Sequence, residues 1–341
     1  MNSIPIVSPT ELIDYLTLAR ASRRPVFLRG GPGVGKSSIF RQFAAAQGPD
    51  FGYFDDRALY RDPTALHMPA IDLKAGLTRW LPSDEFPREG VGIWVVEELP
   101  SAPPLTQAAY YQLILDRCIG HYKVPNGWMI VATGNRLSDR AVVNRMPSPL
   151  VSRFWHLELD VSADDWARWA ISAGLDHRLV AYFRHRPSNL QSFNPKEWEQ
   201  DTPYCCPRTV EYLSDLVAAH DQLQPGVKPP LPLFISTIGQ KVGMEVYGFF
   251  DIYGTIPTRE QILLDPDNCP VPNKASSLLA VITQFINKVD AKNLGRLLRY
   301  WQRLPREFTA MAVRDHVTGN SSLSATHEFT EFALANPSLF S

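Results

Sequence analysis

Short, unbroken apolar runs, separated by polar stretches rich in glycine and proline, organise the first half of this chain. They are Pro25-Val26-Phe27-Leu28, Phe51-Gly52-Tyr53-Phe54, Val91-Gly92-Ile93-Trp94-Val95-Val96 and Trp128-Met129-Ile130-Val131-Ala132-Thr133, and Phe154 to Leu159 is a further strand candidate. Runs this short and this uniformly apolar predict strands buried on both faces, as in a parallel sheet. Helical patterns lie between them. Pro9 to Ala21 carries Leu12, Ile13, Leu16 and Leu18 on an apolar face, Ser38 to Ala46 continues a second helix, and Pro103-Pro104 opens one that runs to about Cys118. Strands alternating with helices predict an α/β fold with a parallel sheet flanked by helices. Arg57 to Pro87 is irregular and reads as a long loop or an inserted hairpin.

After Asp160 the period changes. Ser162 is a candidate N-cap, with Asp164 and Asp165 in the first turn of a helix that contains Trp166 and Trp169. Apolar residues then recur at helical spacing to about residue 222. Gln224 to Pro232 holds four prolines and reads as a linker, and the remainder is mostly helical, interrupted at Asp265 to Pro272.

Composition narrows the class. The 341 residues carry a net charge of −1, so no broad basic field points to nucleic acid or an anionic membrane. Met1-Asn2-Ser3-Ile4-Pro5 lacks the pattern of a signal peptide, and no stretch has the length of a membrane span. Cys118, Cys205, Cys206 and Cys269 form no C-x-x-C pair. They therefore indicate neither a zinc site nor a disulfide framework, and the expected location is the cytoplasm.

The chemistry concentrates after the first strand. Gly30-Gly31-Pro32-Gly33-Val34-Gly35-Lys36-Ser37 fits G-x-x-x-x-G-K-[ST], the phosphate-binding P-loop, and Ser38 continues into the helix. Strand, glycine loop and helix N-terminus make a nest of backbone N–H groups for phosphate. Lys36 would reach the β- and γ-phosphates and the Ser37 hydroxyl would ligate Mg²⁺. Hydrolysis also needs a second metal ligand and a group to orient water. The apolar strand at 91–96 delivers Glu97-Glu98 at its carboxyl end, either to the site or to a solvated loop. The strand at 128–133 delivers Asn135, either to the γ-phosphate or to a turn. Arg153 and Arg208 are candidates to neutralise the transferring phosphoryl group, and chemistry alone does not select them from the other arginines.

In this order the pieces resemble the AAA+ ATPases and, within them, the MoxR-like group of RavA, CbbQ and CobS types. The resemblance covers residues 9 to 222. Val95-Val96-Glu97-Glu98-Leu99-Pro100-Ser101-Ala102-Pro103-Pro104-Leu105-Thr106-Gln107 is similar to the family's Walker B strand and the turn after it. The Ala-Pro-Pro fixes the register, so Glu98 matches the catalytic glutamate and Glu97 stands where the family usually has aspartate. Slow turnover would follow if that extra methylene misplaced the metal. Ala132-Thr133-Gly134-Asn135 resembles sensor 1. Pro149 to Phe154 resembles the arginine-finger stretch, with serine for aspartate at Ser152. Arg153 is then the finger acting on a neighbouring subunit, with Arg140 and Arg145 as alternatives. Cys206-Pro207-Arg208-Thr209-Val210 resembles the sensor 2 helix, which puts Arg208 on the nucleotide.

The resemblance implies a nucleotide-binding domain at 1–160 and a helical lid at 161–224, and the helical pattern beyond it gives a mostly helical extension at 225–341. It implies ATP or ADP and Mg²⁺ as ligands, a homo-oligomeric, usually hexameric ring, and a protein client or a von Willebrand A-domain partner. It also implies a helical insert within 61–82, whose Leu66, Met68, Leu73, Leu77 and Trp80 meet a client or cover the domain's own core; for Trp80 the core is the favoured expectation. The alternatives are a nucleotide-switched assembly module with little hydrolysis and a nucleic-acid motor. For the latter, Arg296, Arg299, Arg303 and Arg306 lie close to helical spacing, where they track a phosphate backbone or form a solvated face.

Overall fold

Residues 4–136, 139, 144–197, 202–318 and 320–339 are described by the structure, a computed structural model. The chain divides into two compact units: Met1–Ser162 with Asn194–Trp198, and Ala163–Phe193 with Glu199–Ser341.

The first unit contains β1 (Ile6–Val7), α1 (Pro9–Ser22), β2 (Val26–Arg29), α2 (Lys36–Ala46), β3 (Phe51–Arg57), α3 (Pro63–Leu66), β4 (His67–Asp72) and β5 (Leu77–Pro82). It continues through β6 (Val91–Glu97), α4 (Pro104–Ala109), α5 (Tyr111–Asp116), β7 (Cys118–Ile119), β8 (Tyr122–Lys123), β9 (Gly127–Gly134), α6 (Ser148–Val151) and β10 (Trp155–Leu159). Among the described residues, six strands form one sheet in the order β1-β10-β2-β9-β6-β3, and each neighbouring pair is parallel. Both faces are covered. Leu12, Leu16, Ile39, Phe40 and Phe43 pack against Val95 and Val131 on one side. Tyr110, Leu113, Ile114 and Phe86 pack against Trp94, Ile130 and Phe27 on the other. Each such side chain, fully buried, contributes about 1.5–3 kcal/mol, which is why the strands read as continuous apolar runs. The expected α/β P-loop core is therefore present.

Three local expectations are corrected. The helix expected to reach Cys118 is two short helices, α4 and α5, meeting at Tyr110, and Cys118 begins the β7–β8 hairpin. The helical insert is instead an antiparallel hairpin, β4–β5, with Met68 opposite Leu81 and Ile71 opposite Thr78. Its turn explains the choice. The Asp72 carboxylate accepts from the Ala75 N–H at 3.1 Å and from Arg79 Nε at 3.0 Å, and Gly76 takes φ 63°. Nor is the hairpin core. Met68 is 61% exposed, Ile71 76% and Trp80 44%, whereas Leu66 in α3 is buried.

The second unit is helical: α7 (Ala163–Ser172), α8 (His177–His185), α9 (Pro207–Leu223), α10 (Leu231–Ile238), α11 (Gln240–Phe249), α12 (Arg259–Leu264) and α13 (Ala275–Thr283). It continues with α14 (Leu294–Trp301), α15 (Arg306–Val313), a π-helical turn at Arg314–Thr318, α16 (Ser321–Ser324) and α17 (His327–Ala335). The arginines of α14 and its C-terminal turn brace the proline-rich stretch before α13. Arg303 donates to the Pro266 and Cys269 carbonyls, Arg299 pairs with Asp267, and Arg296 donates to the Leu263 carbonyl. Their near-helical spacing serves packing within this unit.

The π-helical turn buries an ion pair between Arg184 and Asp315 and stacks His316 on Trp301 at 5.4 Å. His316 Nε2 donates to the Ile282 carbonyl at 3.0 Å. Burial pushes the imidazole from 6.5 down to about 4. An unfolded chain takes up that proton at a higher pH than the folded one, so this contribution is full above pH 6.5 and is lost as pH falls towards 4. The expected loss is about 3 kcal/mol. Urea unfolding of the protein followed at several pH values checks this, and His316→Phe should flatten the dependence within that window.

Candidate nucleotide site

The loop between β2 and α2 is built by glycine where the backbone demands it. Gly33 has φ 73° and Gly35 φ 95°, conformations that side-chain-bearing residues rarely adopt. Gly35 is also the N-cap of α2, which has no side-chain cap and no acidic residue in its first turn. By contrast, α1 is closed by a capping box between Ser8 and Glu11. The first N–H groups of α2, and its positive dipole end, are thus left for an external anion.

Lys36 folds back over this loop. Its ammonium donates to the Gly30 and Gly31 carbonyls, each at 2.9 Å, and to Asn135 Oδ1 at 3.0 Å. Asn135 lies 99 residues along the chain, just beyond β9. It arrives there because β9 is hydrogen-bonded directly to β2, with Leu28 opposite Thr133 and Arg29 opposite Gly134. The same strand borders β6 on its other edge, with Val96 opposite Ala132. P-loop, Asn135 and the Glu97-Glu98 step therefore share the carboxyl edge of three adjacent strands.

The two glutamates differ sharply in environment. Glu97 is 8% exposed. Its Oε2 accepts from Thr133 Oγ1 at 2.5 Å, while Oε1 is buried with no hydrogen-bond partner among the described residues. Glu98 is exposed and sits at φ 53°, ψ 37°. For a residue with a Cβ this left-handed backbone costs about 1–2 kcal/mol. It is stabilised by the Glu98 N–H donating to Thr133 Oγ1 at 2.9 Å. Beside Glu97 on the α2 side of the sheet, burial and then the Glu97 charge raise the Tyr53 phenol above its ordinary value. Arg41 of α2 bonds Asp55 at 3.0 Å there.

A hard divalent cation prefers oxygen ligands. Glu97 Oε1, buried and unpartnered among the described residues, has the chemistry of such a ligand, and Ser37 lies in the first turn of α2.

The remaining candidates are the arginines. Arg153 is half-buried after α6, where its guanidinium donates to the Pro149 carbonyl and its Nε is buried without a partner among the described residues. Arg145 is exposed, and Arg140 lies outside the described residues. Arg208 is exposed on the first turn of α9, in the other compact unit. Sequence reasoning passed over Thr133, which touches both acidic residues. Its polarity at the end of an otherwise apolar strand was the available signal.

Loop and strand ends together define a P-loop α/β protein with acidic and amide side chains at one sheet edge. No family profile and no curated relative matches the sequence. Among solved structures the chain is similar to a candidate ATPase from Cytophaga hutchinsonii, at 14% identity over 98% of this chain and 89% of that one, with a TM-score of 0.36. It is similar to a mutant of RuvB from Thermotoga maritima, at 13% identity over 96% and 88%, with a TM-score of 0.42. NtrX from Brucella abortus is 14% identical over 97% and 67%, with a TM-score of 0.38. Similarities of this size decide neither activity nor partner.

Proposed function

We propose that this chain is an ATP-hydrolysing AAA+ protein of the MoxR-like kind. It works as a ring, and its turnover remodels or activates a protein partner. One observation carries the nucleotide reading: the Lys36 ammonium touches two loop carbonyls and Asn135, so the cation of the P-loop and the amide of a distant strand meet at one point. A γ-phosphate replaces those carbonyls as the acceptor from Lys36, with Asn135 beside it.

In the reaction, Glu98 takes a proton from water as the water oxygen forms its bond to the γ-phosphorus. The bond from that phosphorus to the bridging oxygen breaks, and ADP leaves with the electron pair. Lys36 and the N–H groups of the loop hold the charge of the β- and γ-phosphates. Asn135 orients the γ-phosphate or the attacking water. Ser37 and Glu97 would hold Mg²⁺, which would supply further neutralisation of phosphate charge. Arg153 serves the nucleotide of a neighbouring subunit, and Arg208 meets nucleotide from the helical lid. In this reading 161–224 is that lid and 225–341 an extension of it. A von Willebrand A-domain protein is the first partner to test. Among the described residues no helix is long and apolar enough to cross a membrane.

Lys36→Ala tests the nucleotide reading. Loss of charge-assisted bonds to two phosphates should weaken ATP binding about 10²-fold, read by titration with a fluorescent ATP analogue. Equal binding by the variant and the parent protein rules the reading out. Sedimentation with and without ATP tests the ring.

A further inference from the structure

We propose that Thr133 is the positioning residue for both acidic side chains at the end of β6, and that it is what allows a glutamate to serve at position 97. This rests on the reading of Glu97 as a cation ligand. Thr133 is fully buried near the end of β9, between β2 and β6. Its hydroxyl has one proton to give. The Glu98 N–H can only donate, so at 2.9 Å the Thr133 oxygen is its acceptor. The hydroxyl proton is then directed to Glu97 Oε2 at 2.5 Å. That bond occupies one carboxylate oxygen and leaves Oε1, buried and unpartnered, as the oxygen for a cation.

The geometry also bears on the extra methylene of Glu97. Its length is taken up by reaching across to the neighbouring strand. An aspartate, shorter by one carbon–carbon bond of about 1.5 Å, withdraws from Thr133 beyond hydrogen-bonding range. The same hydroxyl pins the left-handed turn at Glu98, so one side chain sets the metal ligand and the water-orienting group together.

Three variants test this: Thr133→Val, Thr133→Ser and Glu97→Asp. Affinity for a fluorescent ATP analogue is measured in EDTA. Mn²⁺ affinity of the ATP-loaded protein is then measured by electron paramagnetic resonance. Thr133→Val should keep its metal-free ATP affinity within about threefold and lose about 10–100-fold in Mn²⁺ affinity, as removal of partners behind a metal ligand does. Thr133→Ser, which keeps the hydroxyl, should stay close to the parent protein. Glu97→Asp should weaken Mn²⁺ binding, although it restores the residue common in the family. Unchanged Mn²⁺ affinity in Thr133→Val, a serine variant as weak as valine, or tighter binding by Glu97→Asp each overturns the proposal. If Thr133→Val does not fold, the other two variants decide it. If the parent protein itself binds ATP no better than Lys36→Ala, the nucleotide reading falls first and takes this proposal with it.

Discussion

Arg153→Ala protein is expected to turn over ATP about 10³–10⁵-fold more slowly than the parent chain, and to regain activity when mixed with Lys36→Ala protein. An arginine that neutralises the transferring phosphoryl group must meet that group, yet the Arg153 guanidinium is turned to the Pro149 carbonyl at the end of its own α6. If it serves a neighbour's nucleotide, each variant lacks a different half of a shared site. Lys36→Ala keeps its arginine and loses its phosphate grip, while Arg153→Ala does the reverse. A mixed ring then contains junctions that pair an intact P-loop with an intact arginine. Measured phosphate release from the mixture should exceed the sum of the separate variants. Additive rates would place Arg153 outside the reaction, and Arg145→Ala in the same mixing experiment tests the first alternative.

Glu98→Gln should separate binding from chemistry. The amide is nearly isosteric and leaves Lys36, the loop and the Glu98 backbone N–H as they are, so ATP affinity should stay within about threefold of the parent. The amide does not take a proton from water, and the general-base contribution of about 10²–10⁴ in rate is lost. Rapid-quench measurement of ADP formation gives the rate, and the fluorescent titration gives the affinity. Two features of the structure favour Glu98 over Glu97 for this role. Glu98 is exposed at the sheet edge, where water has access. Glu97 is buried with one oxygen already committed to Thr133. If Glu97→Gln abolishes turnover and Glu98→Gln does not, the two assignments must be exchanged. A Glu98→Gln chain that holds ATP without hydrolysing it is also the form in which to search the native host for the proposed protein partner.

Much of this was legible along the chain because the signals are local. The P-loop is eight consecutive residues whose spacing is its mechanism, and β2, β6 and β9 of the core are largely apolar runs because helices cover both faces of the sheet. The hairpin at 67–82 was half legible. Residue chemistry allowed a hairpin, the family resemblance implied a helix, and the Asp72–Gly76 turn with its side-chain bonds gave the hairpin. The single helix expected from 103 to 118 failed where Tyr110 turns into the core between two short helices. The arginines near 296–306 look like an open basic face in sequence. Three of them find carbonyl or carboxylate partners more than thirty residues away, in the stretch before α13.

The sequence by itself determined that a glycine loop with lysine and serine follows a buried strand, and that Glu97-Glu98 and Asn135 end two others. Those facts depend on composition over a few residues. Only the tertiary structure decided that β9 runs between β2 and β6. That order brings Asn135 to Lys36 and Thr133 to both glutamates. Strand order is set by which apolar faces pack together across the whole sheet, and no local run of residues encodes it.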